Sequence, residues 1–100
     1  MSTSTTTTDR YLSTPGEILK EEFLEPLSIS NYRLAKTIGV SETAIGEIVK
    51  GRRSISTAMA YRLAAALGTT PEFWMNLQRD YDLLTFDPTT IGGIEPLVTA

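Results

Sequence analysis

The chain has 100 residues, a formal net charge of −3, and neither cysteine nor histidine. This length fits one domain with a modest core. Lack of cysteine excludes a disulfide framework and thiolate metal sites, and lack of histidine removes the commonest general base. No nucleophile–base pair can be assembled from what remains, so we expect no enzyme, no cofactor and no metal site. No apolar run reaches membrane-spanning length, which predicts a cytoplasmic protein with no membrane partner.

The N-terminal residues are mainly serine and threonine. So few apolar side chains cannot offset the entropy lost on ordering, and residues 1–13 are predicted to form a disordered arm. The first helix is expected to begin at Thr14, because Pro15 suits the first helical position and Glu17 completes a capping box. Its expected core residues are Leu19, Phe23 and Leu27.

Residues 31–50 predict two short helices joined by a tight turn. Ser30 and Ser41 are suited to cap the two helices, and Gly39 accepts the positive φ that ends the first one. The apolar residues recur at helical spacing, so that each helix turns one face toward the other. These inward-facing residues are Leu34, Ala35, Ile38, Ile45 and Ile48. The pattern is typical of a DNA-binding helix-turn-helix.

The positive charge of the chain is concentrated on this motif. Between Ser30 and Arg62 there are six basic and two acidic residues, a net charge of +4, whereas the remainder carries −7. A locally positive face allows an acidic protein to bind a polyanion such as double-stranded DNA. A solvated surface with no partner would also explain the charges.

Eight residues are the candidates for DNA contact. The N-terminal part of a recognition helix faces base edges, where Thr43 can bond a base and Glu47 can accept from a cytosine amino group. Glu42 has the same capacity, although an acid there also favours the helix dipole. Cations at the end of the helix suit phosphates, as does a helix N-terminus. The full set is Asn31, Ser41, Glu42, Thr43, Glu47, Lys50, Arg52 and Arg53.

Gly46 is unusual inside a predicted helix. Glycine there costs roughly 1 kcal/mol relative to alanine. Close approach of the helix to DNA would explain it, and so would drift at a tolerant position.

Two further helices are expected after the basic loop. Ser56 is suited to cap a fourth helix over residues 57–67, and Thr70 with Pro71 opens a fifth. The helical pattern stops after Leu84. The extension over residues 85–100 is apolar but broken by proline and glycine, so it could cover its own core or extend across a partner chain.

A single module reads too few base pairs to find one site in a genome, so a homodimer is expected. The apolar surface for it is predicted in the fifth helix and the tail. For Trp74 the alternative is packing inside the monomer core. The candidates for dimer or partner contact are Trp74, Met75, Ile91, Ile94 and Leu97.

These residues resemble a known family. The segment 30–56 is similar to the lambda-repressor-like (XRE) helix-turn-helix. Longer runs, Pro-Gly-Glu-Ile-Leu at 15–19 and Pro-Glu-Phe-Trp-Met-Asn-Leu-Gln at 71–78, resemble the HigA-type (VapI-like) antitoxins. The resemblance covers about residues 14–84 and implies an all-α, five-helix DNA-binding domain. It further implies a dimeric repressor of its own toxin–antitoxin operon that neutralises a RelE-like, mRNA-cleaving toxin.

The sequence departs from many such repressors at Ala44 and Gly46, where larger polar side chains are common, so the base preference stays open. Two alternatives also remain. One is a stand-alone repressor of the XRE type without a toxin partner. The other is a toxin-neutralising interaction module that has lost DNA binding and uses its acidic remainder to contact a basic toxin.

Overall fold

Helices make up most of the part of the chain that the computed structural model describes, residues 13–98. The first helix, α1, has an α-helical part, Pro15–Leu19, and a π-helical part, Lys20–Leu24. It is followed by α2 (Asn31–Ile38), α3 (Glu42–Val49), α4 (Thr57–Leu67), α5 (Pro71–Thr85) and a short 3-10 turn (Pro88–Ile91). No strand occurs among these residues. The expected all-α fold of five helices is confirmed, and the predicted disordered arm lies outside the described residues except for Ser13.

Each helix begins at a hydroxyl side chain, as the sequence predicts. The N-cap oxygen accepts a hydrogen bond from the backbone N–H three residues later, which satisfies a donor that has no partner inside the helix. In α1 the bond is reciprocal, because Glu17 Oε1 accepts from the Thr14 N–H at 2.8 Å. The five capping residues are Thr14, Ser30, Ser41, Ser56 and Thr70.

The core lies where α1, α4 and α5 meet the inner faces of α2 and α3. Its largest fully buried side chains are Trp74, Leu19, Ile45, Ile48 and Leu63. Ala35 is also buried, which lets α2 and α3 cross closely. The helix-turn-helix is therefore fixed from behind by the three other helices.

The prediction that Leu27 belongs to the core is wrong, since its side chain is 57% exposed. In the π-helical part of α1, the Glu25 N–H bonds to the Lys20 carbonyl at 2.9 Å, five residues back. This wider spacing interrupts the four-residue periodicity on which the prediction depended, and the helix ends at Leu24. Leu27 therefore lies in the turn that follows α1.

Trp74 was expected at a dimer or partner contact, and this expectation is also wrong: the side chain is 0% exposed. The indole N–H donates to Thr69 Oγ1 at 2.7 Å. Phe23 and Phe73 lie against the indole ring, with centroid distances of 5.3 and 4.9 Å. Trp74 thus joins α5 to α1 inside the monomer, and a buried polar atom is satisfied there. Met75, next to it, is partly buried against the same core.

The described part of the tail does not cover its own core. Asp87 caps the 3-10 turn, and the two hydrogen bonds it accepts from Thr89, from the hydroxyl and from the backbone N–H, lower the pKa of its carboxyl. Beyond α5 the apolar side chains are exposed, among them Ile91, Ile94 and Leu97. Of the two uses expected for the tail, packing on its own domain is excluded for residues 86–98.

Candidate nucleic-acid interface

The turn between α2 and α3 is fixed by local signals and by one distant side chain. Gly39 ends α2 with φ 76°, in the left-handed region that glycine adopts at little cost. Ser41 then caps α3, with its Oγ accepting from the Ala44 N–H at 3.0 Å. The Arg62 guanidinium, on α4, donates to the Ile38 carbonyl at the end of α2. One of the six cations counted for the motif therefore stabilises the carboxyl end of a helix.

The outer face of α3 carries the side chains that the sequence assigned to base contact. Glu42 and Thr43 are exposed, and Glu47 is half-buried one turn later. Ile45 and Ile48 are buried on the opposite face. A helix exposed on one side and supported by the core on the other is the arrangement needed to enter a major groove.

Ala44 does not belong to that face. It is 6% exposed and points toward the core with Ile45. The side chain at this position therefore has little access to an external ligand, so the departure at Ala44 does not lie on the exposed face of α3. Gly46 is the remaining departure on the outer face of α3.

The basic loop leaves α3 in a defined direction. The Arg52 N–H bonds to the Glu47 carbonyl at 2.8 Å, and the Gly51 N–H bonds to the Ile48 carbonyl at 3.0 Å. With Gly51 at φ 78°, this is a Schellman end, which satisfies the last carbonyls of the helix. The chain turns sharply there, and Arg52 and Arg53 are placed beside the carboxyl end of α3.

The cations of this loop have no acidic partner in the described part of the chain. Among the described residues, ion pairs join Lys20 to Glu25 at 3.8 Å and Arg79 to Asp80 at 3.0 Å, and neither pair involves a residue of the loop. At the end of α3 and on the loop that follows it, Lys50, Arg52 and Arg53 are exposed and have no ion pair among the described residues. Unpaired cations on an ordered loop are available for phosphate.

A residue that sequence reasoning missed anchors this loop. Gln78, on α5, accepts from the Ile55 N–H at 2.8 Å and donates from Nε2 to Asp82 Oδ1 at 2.9 Å. It is the one buried polar side chain among the described residues. The available signal was its position: Gln78 follows Trp74 by one turn, where the apolar stripe of α5 predicts a core residue. A glutamine there indicates a buried backbone group that needs a partner.

The candidate residues fall into separate parts of one surface. Asn31, half-buried at the start of α2, lines a groove together with Lys50. Arg52 and Arg53 line a neighbouring cleft with Gln78. At the amino end of α3 lie Ser41, Glu42 and Thr43. A helix of eight residues is about 12 Å long, so about this distance separates them from the basic residues at the carboxyl end. No three acidic residues are grouped to hold a metal ion in the region described.

Within residues 13–98, no helix has the length and apolar character required to cross a membrane.

Comparison with known proteins identifies the family of this chain. The helix-turn-helix family matches residues 20–74. Virulence-associated protein I of Dichelobacter nodosus is 42% identical over 87 residues, which cover 85% of this chain and 81% of that protein. Antitoxin HigA-1 of Vibrio cholerae is 46% identical over 68 residues, which cover 68% of this chain and 64% of that protein.

A solved structure supports the same family. The structure of the Pseudomonas aeruginosa antitoxin HigA with the higBA promoter matches 87% of this chain and 99% of its own, with a TM-score of 0.78 and 42% identity. The chain belongs to the helix-turn-helix family, and its homologues include HigA antitoxins and VapI-like virulence-associated proteins.

Proposed function

We propose that this protein is a cytoplasmic DNA-binding antitoxin that represses its own toxin–antitoxin operon. In this proposal α3 enters the major groove of the operator, and the DNA-binding domain extends over residues 14–84. The homologous antitoxin HigA solved with promoter DNA supports the assignment. A second copy of the chain reads the other half-site, since helix-turn-helix proteins bind symmetric operators as dimers.

The observation that carries the proposal is the group of unpaired cations on the ordered loop after α3. Lys50, Arg52 and Arg53 are exposed and lack acidic partners within the described residues. Gln78 and the Schellman end hold the loop in one conformation. Phosphate contacts of this kind supply affinity and set the register of the protein on DNA.

Base readout is assigned to side chains on the outer face of α3. The hydroxyl of Thr43 can bond a base, or its methyl can contact thymine. Carboxylates at Glu42 and Glu47 can accept from the amino group of cytosine. The Ser41 hydroxyl, in contrast, already accepts the hydrogen bond from the Ala44 N–H that caps α3. Asn31 contributes a phosphate contact from the start of α2, beside Lys50.

Removing the two arginine side chains of the loop tests the assignment of phosphate contacts. The double substitution Arg52→Ala and Arg53→Ala should weaken binding to the promoter DNA and reduce the salt slope by about 0.9 per lost phosphate contact. Arg79→Ala is the matched control, because Arg79 is exposed on α5 and already paired with Asp80. An unchanged affinity and slope in the double variant would contradict the DNA assignment.

The partner proposed for the antitoxin is a RelE-like toxin, neutralised by direct binding. Co-expression of the chain with the product of a neighbouring toxin gene, followed by purification through a tag on the antitoxin, tests this. A stable complex is expected. A toxin that passes through unbound would favour the stand-alone repressor while leaving the DNA assignment intact. A stable complex combined with failure of the wild-type chain to bind the promoter would favour the interaction module.

A further inference from the structure

Gly46 occupies the middle of α3, where glycine weakens a helix. Its backbone is helical, so the positive φ that glycine permits is not used. A Cβ built on Gly46 meets no atom within 4 Å. The fold therefore has room for a side chain at this position and gains nothing from leaving it out.

The other helical glycine shows the contrast. At Gly16 in α1, an added Cβ would stand 1.7 Å from the Ile48 carbonyl oxygen, so packing within the chain requires glycine. Four more glycines have positive φ and are required by the backbone: Gly39, Gly51, Gly68 and Gly92. Gly46 is the helical position at which neither reason applies.

Its position on the helix indicates where the reason lies. Gly46 follows Thr43 by three residues and precedes Lys50 by four, so all three lie on one face of α3. Thr43 and Lys50 are exposed there, whereas Ile45 and Ile48 cover the opposite face. Any group that approaches this face meets bare backbone at Gly46.

We propose that Gly46 is a specificity-determining residue: the missing side chain lets the backbone of α3 lie directly against the base edges of the operator. This inference rests on the proposed DNA-binding function. A helix that approaches closely brings short side chains such as Thr43 within hydrogen-bond distance of the bases. A Cβ at Gly46 would move the helix outward and separate them.

The inference predicts opposite signs for stability and for binding. Gly46→Ala should raise Tm by about 4 °C or more, because alanine favours the helix and the site is open. The same variant should bind the operator about tenfold more weakly, comparable to the loss of one good base contact. Binding to unrelated DNA, and its salt slope, should stay as in the wild type, because the phosphate contacts are unchanged.

Ala65→Gly supplies the matched control. Ala65 is exposed on α4, away from the outer face of α3, so this variant should have a lower Tm and an unchanged operator affinity. Operator affinity is measured by fluorescence anisotropy with the chain of residues 1–100 at one fixed salt concentration, and the salt slope on unrelated DNA is measured over a series of salt concentrations.

Three outcomes overturn the inference. If Gly46→Ala binds the operator within twofold of the wild type, no close approach occurs at this position. If its Tm does not rise, the fold itself requires the glycine. If the wild-type chain does not bind its promoter at all, the proposed function is wrong and the inference fails with it. If the wild type binds and only the predicted effect of Gly46→Ala is absent, the inference alone fails, so the two failures are distinguishable.

Discussion

A Cβ built on Gly16 would stand 1.7 Å from the carbonyl oxygen of Ile48 and 2.5 Å from its carbonyl carbon. The backbone of α1 therefore packs directly on the last turn of α3. Ile48 lies in the last turn of α3, and Ser41 caps the other end. The position of α3 thus depends on the absence of a side chain in a different helix.

Gly16→Ala should lower the free energy of unfolding by about 2 kcal/mol or more, because backbone atoms cannot yield to the methyl group without moving a helix. Urea denaturation followed by circular dichroism measures it. Gly93→Ala is the control, since Gly93 has ordinary φ and open space, and it should stay within about 0.5 kcal/mol of the wild type. Equal stabilities for the two variants would show that α1 does not contact α3 so closely.

Gln78→Ala should be destabilising and should also weaken DNA binding. It leaves the Ile55 N–H buried without an acceptor, at a cost of about 1–3 kcal/mol, and releases the loop that carries Arg52 and Arg53. The measurements are the free energy of unfolding and the affinity for the promoter. Asp82→Ala removes the partner of Gln78 Nε2 but leaves the bond to Ile55, so it should have the smaller effect on both. A larger effect from Asp82→Ala would contradict the anchoring role of Gln78.

The features predicted correctly from sequence are those with local causes. Ser30, Gly39 and Ser41 act through groups within three or four residues, so their roles follow from spacing alone. The helix-turn-helix and the exposure of Thr43 follow from the same short-range pattern. The resemblance to HigA-type antitoxins added the family, which the comparisons confirm.

Two of the features missed depend on partners far away in the sequence. Gln78 satisfies Ile55, 23 residues earlier, and Arg62 binds Ile38, 24 residues earlier. Leu27 was assigned to the core from its spacing of four residues after Phe23, a spacing that the π-helical turn interrupts. Trp74 was predicted at a dimer or partner contact because the spacing of the aromatic residues on α5 does not indicate which of their side chains faces the core.

The buried position of Trp74, the one tryptophan of the chain, makes its fluorescence a direct test of the fold. Emission should be blue-shifted in the native protein, resist quenching by acrylamide, and shift to the red on unfolding. Because the indole lies inside the monomer, dilution should leave the native emission unchanged at concentrations where a dimer dissociates. Emission that shifts to the red on dilution without unfolding would return Trp74 to a subunit contact.

The tail is the surface that we assign to the second copy of the chain. Ile94 and Leu97 are 72% and 102% exposed, and burying such side chains against a partner contributes about 1.5–3 kcal/mol each. The double substitution Ile94→Asp and Leu97→Asp should therefore give a folded monomer with weaker operator binding, measured by analytical ultracentrifugation and anisotropy. Leu27→Asp, at 57% exposure and outside the tail, should leave the dimer unchanged. A double variant that remains dimeric would place the subunit contact on another surface, because two buried carboxylates without partners cannot be accommodated in an apolar interface.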